Sequence, residues 1–420
     1  MFSRKLTPDR GMDMLDLIRF ELKKIVGNRA GMLACAFALL IIVGITILDA
    51  VTTQTYDLDG KTCSGLAGLD AYREKQESHA GTLDADRVAE DMDVYDRAEE
   101  LAESEEPTYS DMSSEQILET YGLEFWRSSY AVLHDTYYTR LRSVMLLDDE
   151  VYADDLQQAC AAGIEEGLKD GLLGYYDYTP AEESFWLAKA SRMSWPLEYG
   201  YADGWVSAFN WTTFLALPIV ALCVALSGVF SGEYQSRAAS VVLPTRLGKR
   251  ALPVAKVVAS LIFATVYWWL SVAVMLGAIF AFFGAEGASL PFQMMGYANP
   301  YPLTMAGATA LRCALGYVIA FGMAGFTLLL SSKMRSSMPA AVIPMAIVLL
   351  GFIGIFFTPA AKVAALTPLS SINWSFSRMA SYAAGSLVLD LPSISTLLYA
   401  AMLVTLSPLA MRAFARHQVS

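Results

Sequence analysis

The distribution of apolar residues along the chain constrains its fold more than any other feature. One apolar segment near the N-terminus is followed by a long acidic block and then by five further apolar segments. Each reaches about 18–20 residues, the length at which a helix crosses the hydrocarbon core of a bilayer. The six segments cover residues 31–50, 209–231, 255–283, 306–331, 337–357 and 391–411. We therefore predict an integral membrane protein with six spans.

Backbone hydrogen bonding decides what these spans can be. Lipid offers no partner for an unpaired amide, so a span must be an α-helix or a strand of a closed barrel. A barrel needs many short segments of alternating polarity, and the sequence does not contain them. We predict an all-α integral membrane fold with six transmembrane helices, the first at 31–50 and helices 2 to 6 within 206–411.

Basic residues predict the orientation of the spans. Lys and Arg lie before the first segment, between the second and third, between the fourth and fifth, and after the sixth, but not between the third and fourth. The positive-inside rule makes all four basic regions cytoplasmic. We therefore expect a plasma-membrane protein with cytoplasmic tails at 1–30 and 412–420 and an extracellular domain at 51–205. The basic lead is long and no small-residue cleavage site follows, so the first span is expected to be an anchor rather than a signal peptide.

The acidic block, residues 51–205, differs sharply in charge from the rest of the chain. It carries 34 acidic and 11 basic residues, a net charge of −23, whereas the remainder has 8 and 19, a net charge of +11. The overall pI of 4.8 therefore averages two opposite surfaces, and no nucleic-acid partner is indicated. Stretches at 84–106, 113–147 and 155–173 are rich in Ala, Leu and Glu, which predicts a mostly helical domain. Its aromatic residues recur at helical spacing and favour a core over a ligand surface: Tyr121, Phe125, Trp126, Tyr130, Tyr137 and Tyr138.

Two cysteines lie in the acidic block. Cys63 and Cys160 would face an oxidising exterior, which permits a disulfide between them. Such a bond would stabilise the domain by about 4–5 kcal/mol on the chain-entropy model. The alternative is that both are buried thiols, because spacing alone does not give pairing geometry.

One ionisable residue, Arg312, lies inside a predicted span. Ionisable groups within a membrane are candidates for function. One interpretation places Arg312 at the outer interface or in a pair with Asp49 or Glu286. The other makes it a polar point on a translocation path.

The segment 13–29 has the pattern of a helix lying in the membrane interface. Met14, Ile18, Leu22 and Ile25 form an apolar stripe at helical spacing, and lysines beside such a stripe can face anionic head groups. The alternative is a plain basic flank of the first span. The polar residues assigned to this interfacial helix are Arg19, Glu21, Lys23 and Lys24.

The loop at 231–252, between the second and third spans, predicts a compact projection on the same side. It contains a carboxylate at the membrane boundary, a short amphipathic stretch, a Pro-Thr break and several bases. Such a projection can dock into another protein, whereas as ordinary membrane-flank chemistry the glutamate would be incidental. The candidate docking residues are Glu233, Tyr234, Arg237, Thr245, Arg246 and Arg250.

Together, the helix Leu17–Lys24, the six-span layout and the segment from Glu233 to Lys256 resemble the permease subunit of type 2 ATP-binding-cassette (ABC) exporters. The resemblance implies that the interfacial helix is the connecting helix and that the loop is a coupling helix contacting an ATPase. It places Glu233 at the entry of the coupling helix. It also implies short re-entrant helices in the outer segment 358–390. The large domain at 51–205 departs from many members of the family.

The resemblance also implies that transport and ATP hydrolysis are carried out by separate subunits. The sequence has no G-x-x-x-x-G-K-[ST] motif, so ATP and Mg²⁺ are expected on a separate ABC ATPase subunit and no cofactor on this chain. His79, His134 and His417 are too scattered to predict a metal site or a catalytic dyad, so no catalysis is assigned. Six spans form half of such an exporter, so a second permease copy or a paralogue is required.

The expected function is export of a hydrophobic or amphipathic substrate such as a peptide, a drug or a lipid. A non-transport membrane sensor or assembly protein, with a ligand-binding outer domain, is the alternative. An ion-coupled carrier would show paired carboxylates or inverted repeats near mid-membrane, and the sequence shows neither.

Overall fold

The computed structural model describes residues 13–84, 86–88, 114–125, 156–169, 177–245, 248–296, 299–354 and 361–416. Within them the chain is mostly helical, as predicted. The longer helices are α1 Met14–Val26, α2 Arg29–Thr52, α3 Leu66–Ser78, α4 Ser114–Phe125, α5 Leu156–Lys169, α6 Pro180–Ala190, α7 Asp203–Trp211, α8 Ala216–Leu226, α9 Gly228–Gln235, α11 Ala251–Phe283, α12 Met305–Lys333, α13 Ser337–Gly354 and α16 Leu391–Ala415. Three shorter ones are α10 Ala238–Val242, α14 Ala361–Ala365 and α15 Pro368–Trp374, and two 3₁₀ turns cover Thr212–Leu215 and Phe292–Met295.

Five helical stretches of the described residues are long and apolar enough to cross a membrane, which indicates a membrane-embedded protein. They are α2, Asp203–Gln235, α11, α12 and α16. The fifth predicted span, 337–357, corresponds to α13, which has 18 residues. At about 1.5 Å per residue α13 is slightly shorter than a hydrocarbon core of about 30 Å. Residues 355–360, at and beyond its predicted end, lie outside the described part of the chain, so six spans stay a prediction.

Small residues let the membrane helices pack closely. A Cβ at Gly31 of α2 would lie 2.7 Å from the Cα of Ala225 in α8. A Cβ at Gly322 of α12 would lie 2.8 Å from both the ring and the carbonyl oxygen of Tyr399 in α16. Such contacts are typical of membrane helices, where close packing replaces the hydrophobic driving force available in water. These glycines therefore set the spacing of two helix pairs.

Three two-stranded antiparallel sheets, which the sequence did not predict, lie in the described part of the chain; two are local hairpins and one joins distant segments. Strand β1 (Gln54–Tyr56) pairs with β2 (Thr62–Ser64), β3 (Gly81–Leu83) pairs with β4 (Leu197–Tyr199), and β5 (Ser381–Ala384) pairs with β6 (Leu387–Asp390). The β3–β4 pair brings together the two ends of the acidic block. The block is thereby closed at its base, beside the ends of the spans.

The acidic block shares one hydrophobic core with the adjacent ends of the membrane helices. Trp186 of α6 is completely buried, and its ring contacts that of Tyr301, which in turn contacts Phe376. Arg73 of α3 donates to the carbonyl of Phe283, at the end of α11. The block is therefore built into the membrane part rather than tethered to it.

The predicted helices of the acidic block are found only in part. Helices α4 and α5 fall within the predicted stretches 113–147 and 155–173. Most of the stretch 84–106 lies outside the described residues, as do Trp126, Tyr130, Tyr137 and Tyr138. The predicted aromatic core is therefore not tested.

The candidate disulfide is not formed in the structure. Cys63 lies beside β1, with its Sγ 3.8 Å from Oδ2 of Asp57. Cys160 is fully buried in α5, and neither cysteine is in a disulfide. The alternative prediction of two buried thiols fits Cys160, whereas Cys63 is only half-buried.

The outer segment predicted at 358–390 contains two short helices, α14 and α15, followed by the β5–β6 hairpin. Most of α15 is buried, including Leu369, Ile372 and Trp374. Tyr382 donates to the carbonyl of Lys362, which closes the hairpin back onto α14. Two short helices are thus present in this segment, but their re-entrant placement in the membrane stays a prediction. The hairpin was not predicted.

Glu182 fastens α6 to this outer segment. It is fully buried, and its carboxylate accepts hydrogen bonds from Lys362 Nζ (2.7 Å), Ser381 Oγ (3.0 Å) and Thr179 N (3.0 Å). Thr179 and Glu182 also form a capping box at the start of α6. Burial by itself would raise the pKa of Glu182, but the hydrogen bonds from Lys362 and Thr179 outweigh it and hold the pKa below its usual value.

We expect this contact to weaken in acid. Because the folded pKa of Glu182 is lowered, its ionised form stabilises the fold above the ordinary carboxyl pKa of about 4.3. That contribution is lost as the pH falls through the lowered pKa. Thermal unfolding measured from pH 6 to pH 3 should therefore depend less on pH in Glu182→Gln than in the wild type. The exposed neighbour Glu183, changed to Gln, is the control, and equal pH dependence in the two variants would contradict the assignment.

Candidate functional site

Four charged side chains from three helices meet at the ends of the membrane helices. Lys256 Nζ of α11 lies 2.7 Å from Oε2 of Glu21 in α1 and 2.8 Å from Oε1 of Glu233 in α9. Lys24 Nζ of α1 contacts the same oxygen of Glu233 and lies 3.6 Å from Oε1 of Glu21. We call these four residues the charged cluster. It ties the predicted interfacial helix to both sides of the loop at 231–252.

The interfacial helix presents Glu21 to this cluster by its own periodicity. Leu17, Glu21 and Ile25 recur every four residues and are the buried residues of α1, which packs mainly against α11. The stripe predicted to enter the membrane ran through Met14, Ile18, Leu22 and Ile25. Only Ile25 of that stripe is buried, Met14 is exposed, and Ile18 and Leu22 are half-buried. Exposure of this stripe is compatible with the predicted contact to acyl chains, so the orientation of α1 in the membrane interface stays a prediction. Glu21, on the buried side of α1, pairs with α11.

Burying the charged cluster away from water costs free energy. Lys256 is 1% exposed, Glu21 3% and Glu233 7%. The third hydrogen of the Lys256 ammonium is donated to the carbonyl of Val229 at 2.9 Å, so all three of its N–H groups are paired. Desolvated charges are tolerated only when opposite charges and hydrogen bonds compensate them. Two lysines and two glutamates give the cluster no net charge, and removing one member would break this balance.

Helix α9 is also fixed to the end of α12, through a serine. Ser331 Oγ accepts hydrogen bonds from the backbone N–H groups of Phe230 and Ser231 and donates to the carbonyl of Ser227. A side chain inserted into a helical hydrogen-bond ladder is a recognised cause of a bend. The break between α8 and α9 lies at Ser227, within the stretch Asp203–Gln235.

Tyr234 reinforces this attachment. Its hydroxyl donates to the carbonyl of Ser332 at 2.9 Å, and its ring lies 5.8 Å from that of Phe414, near the end of α16. Tyr234 is half-buried. Its observed contacts therefore hold α9 to the ends of two other membrane helices.

The remainder of the loop carries exposed bases, although Ala239 and Leu243 pack into the core. Arg237 has left-handed backbone angles (φ 56°) at the turn between α9 and α10, and Arg237, Lys249 and Arg250 are exposed. Thr245 is exposed, and its Oγ1 accepts a hydrogen bond from the N–H of Gly248. Arg246 lies outside the described residues. The loop therefore begins with the buried Glu233, which we call its root. We call its exposed bases, Arg237, Lys249 and Arg250, its tip.

The residues predicted for docking and for the interfacial helix thus fall into two groups, those inside the charged cluster and those outside it. It brings Glu21, Lys24 and Glu233 together, with Lys256 as their common partner. Arg19 and Lys23 are exposed on α1 and lie outside the cluster. Glu233, expected at the entry of a coupling helix that contacts a partner, binds lysines of its own chain, and its place in a coupling helix stays a prediction. The pairing of Glu233 with Lys256 was not predicted, because in the sequence Lys256 is one of several bases that flank a span.

Arg312 lies elsewhere, at the other ends of the spans. It is 2% exposed. It does not pair with Asp49 or Glu286, and Glu286 pairs with Arg73. Its guanidinium donates to the carbonyls of Phe209 (3.0 Å), Asn373 and Ser375 (2.7 Å). Longer contacts reach the hydroxyls of Thr212 and Ser377. In this conformation Arg312 connects α12 to the end of α7 and to the segment after α15.

Among the described residues, no group of three or more His, Cys, Asp or Glu side chains is arranged to hold a metal ion. Comparisons of the sequence and structure with protein-family models, with curated proteins and with solved structures found no match. The functional argument therefore depends on the geometry of the charged cluster and its loop.

Proposed function

We propose that this chain is the membrane-spanning permease subunit of an ABC exporter, driven by ATP hydrolysis on a separate ATPase subunit. The substrate would be hydrophobic or amphipathic, such as a peptide, a drug or a lipid. Two permease subunits would form the transport path, with the loop at 231–252 on the cytoplasmic side. The chain itself would bind neither ATP nor Mg²⁺.

The observation that carries the proposal is the attachment of the loop to the membrane helices. Its root is bound through Glu233 to α1 and α11, and through Tyr234 to the end of α12. A force applied to the loop would therefore reach four helices together, since α9 continues directly from α8. Packed side chains and networks of hydrogen bonds and ion pairs of this kind can carry coupling between two sites of a protein.

The exposed tip of the loop supplies a surface for the partner. Arg237, Lys249 and Arg250 are exposed, do not belong to the charged cluster and carry one sign of charge. A basic patch favours association with an acidic surface and mainly sets the rate and specificity of docking. We infer that the ATPase meets the loop at these residues, while Glu233 transmits the contact to α1.

Charge reversal at the tip tests the docking role. In Arg237→Glu/Lys249→Glu/Arg250→Glu we expect at least a tenfold loss of ATPase subunit recovered with the affinity-tagged full-length chain, because like charges across an interface cost several kcal/mol. The measurement is quantitative mass spectrometry of the purified complex. The matched control reverses three exposed bases predicted on the opposite side: Lys61, Arg192 and Arg378.

The two variants distinguish the proposal from its rival. Normal recovery of the ATPase with the tip variant would remove the docking role of the loop. If the control variant alone lost a partner, the acidic block and its neighbours would be the binding surface. That second result would favour a membrane sensor or assembly protein.

A further inference from the structure

A cavity of about 320 Å³ opens beside the charged cluster. It lies between α1, α9 and the first residue of α13, and all four members of the cluster line it. Its volume is at the lower end of the range typical of small-ligand pockets. Because it is formed by the ends of helices long enough to span a membrane, it lies where apolar spans give way to polar segments.

Two glycines create this space. Gly228 and Gly232 both line the cavity and lie one turn apart on the same side of α9. A Cβ built at either position meets no atom within 4 Å. Larger residues would therefore fit sterically here and would occupy the cavity.

The cluster leaves one group of each charge available to a ligand. All three hydrogens of Lys256 are used inside the cluster, but the Lys24 side chain is 44% exposed and borders the cavity. Both lysines bind Glu233 through Oε1. The other oxygen, Oε2, has no hydrogen-bond partner among the described residues.

A ligand with both charges matches this arrangement better than a simple ion. The cluster is already neutral, so a lone anion or cation would leave an uncompensated charge in a poorly hydrated site. A phosphate could bind Lys24 and the amide of Asn28, which also lines the cavity. A primary ammonium could donate to Oε2 of Glu233, which a quaternary ammonium without N–H groups could not do.

We propose that this cavity binds a phosphoethanolamine group, supplied by the headgroup of a bilayer phospholipid, with its phosphate at Lys24 and its ammonium at Glu233. The proposal is independent of the exporter assignment. It requires only that the helix ends around the cavity lie at headgroup depth. The same chemistry is carried by free phosphoethanolamine, which the test separates from the lipid.

Native mass spectrometry of the full-length protein in detergent tests the site. The probes are phosphatidylethanolamine, phosphatidylcholine and phosphatidylglycerol with identical acyl chains, and free phosphoethanolamine. We expect phosphatidylethanolamine to bind at least tenfold more tightly than the other two lipids, and Gly232→Leu to lose this preference. Gly277→Leu is the matched control, since Gly277 is an exposed position of α11 that also faces open space.

Gly228→Leu provides a second variant at the same cavity if Gly232→Leu does not fold. Equal binding of the three lipids, or unchanged phosphatidylethanolamine binding in a folded cavity variant, would overturn the proposal. Binding of free phosphoethanolamine as tightly as the lipid would support the site but make its source soluble.

Discussion

Replacing Lys256 with methionine is expected to destabilise the folded protein by about 3–5 kcal/mol, the usual consequence of removing one partner from a buried ion pair. Glu21 and Glu233 would stay in a desolvated site with only the partly exposed Lys24 to compensate them. The carbonyl of Val229 would also lose its hydrogen bond from Lys256. Thermal unfolding in detergent, followed by intrinsic fluorescence, measures the change.

Two further variants separate lost charge compensation from lost packing. Lys249→Met removes an exposed lysine and should change stability by no more than about 0.5 kcal/mol. Lys256→Met/Glu21→Gln/Glu233→Gln removes the uncompensated charges and should recover a large part of the loss. Equal destabilisation by Lys249→Met and Lys256→Met would show that the cluster is not the structural centre described above. An absence of recovery in the triple variant would show that charge is not the cause.

Replacing Arg312 with methionine is expected to destabilise the protein by more than about 3 kcal/mol. Hydrogen bonds to a charged group contribute about 1.5–3 kcal/mol each, and buried carbonyls left unpaired add a further cost. The carbonyl of Ser375 would lose its hydrogen bond from this guanidinium. Those of Phe209 and Asn373 would lose one donor each but keep the hydroxyls of Thr212 and Ser377. We also expect faster amide hydrogen exchange at 369–378, because Arg312 holds the end of α15 against α12.

Arg312→Lys gives the informative comparison. It keeps the charge but replaces a planar fork with a single ammonium, which cannot reach acceptors on two separate elements at once. The lysine variant should therefore lie between the wild type and the methionine variant in both stability and exchange. Wild-type behaviour of Arg312→Lys would mean that only the charge is needed, and a role for Arg312 on a translocation path would then gain support.

The membrane helices could be predicted from the sequence because lipid imposes a length and a hydrogen-bonding rule on each one separately. The helix 14–26 could also be recognised from its own periodicity. The pairing of Glu21 could not, because its partner Lys256 lies more than two hundred residues away in the chain. The paired strands β3 and β4 depend in the same way on a contact between the two ends of the acidic block.

Glu21, Lys24 and Glu233 were among the predicted residues, but Lys256 was not, and neither was the arrangement of the four as a cluster. Glu233 and Arg250 were correctly placed in one loop, yet one is a buried root and the other an exposed tip. The sequence does not show which of the two residues is buried, since both flank an apolar span. For Arg312 the charge inside a span was the correct signal of importance, whereas its partners are mainly backbone carbonyls, which leave no trace in residue identity.

The measurement that tests the proposed function most directly is ATP hydrolysis by the affinity-purified full-length protein from its own membranes. We predict activity that accompanies a second polypeptide carrying a phosphate-binding loop and that is absent when this chain is purified alone from a foreign host. Absence of hydrolysis from the native preparation, with no such polypeptide present, would contradict the assignment as an exporter permease.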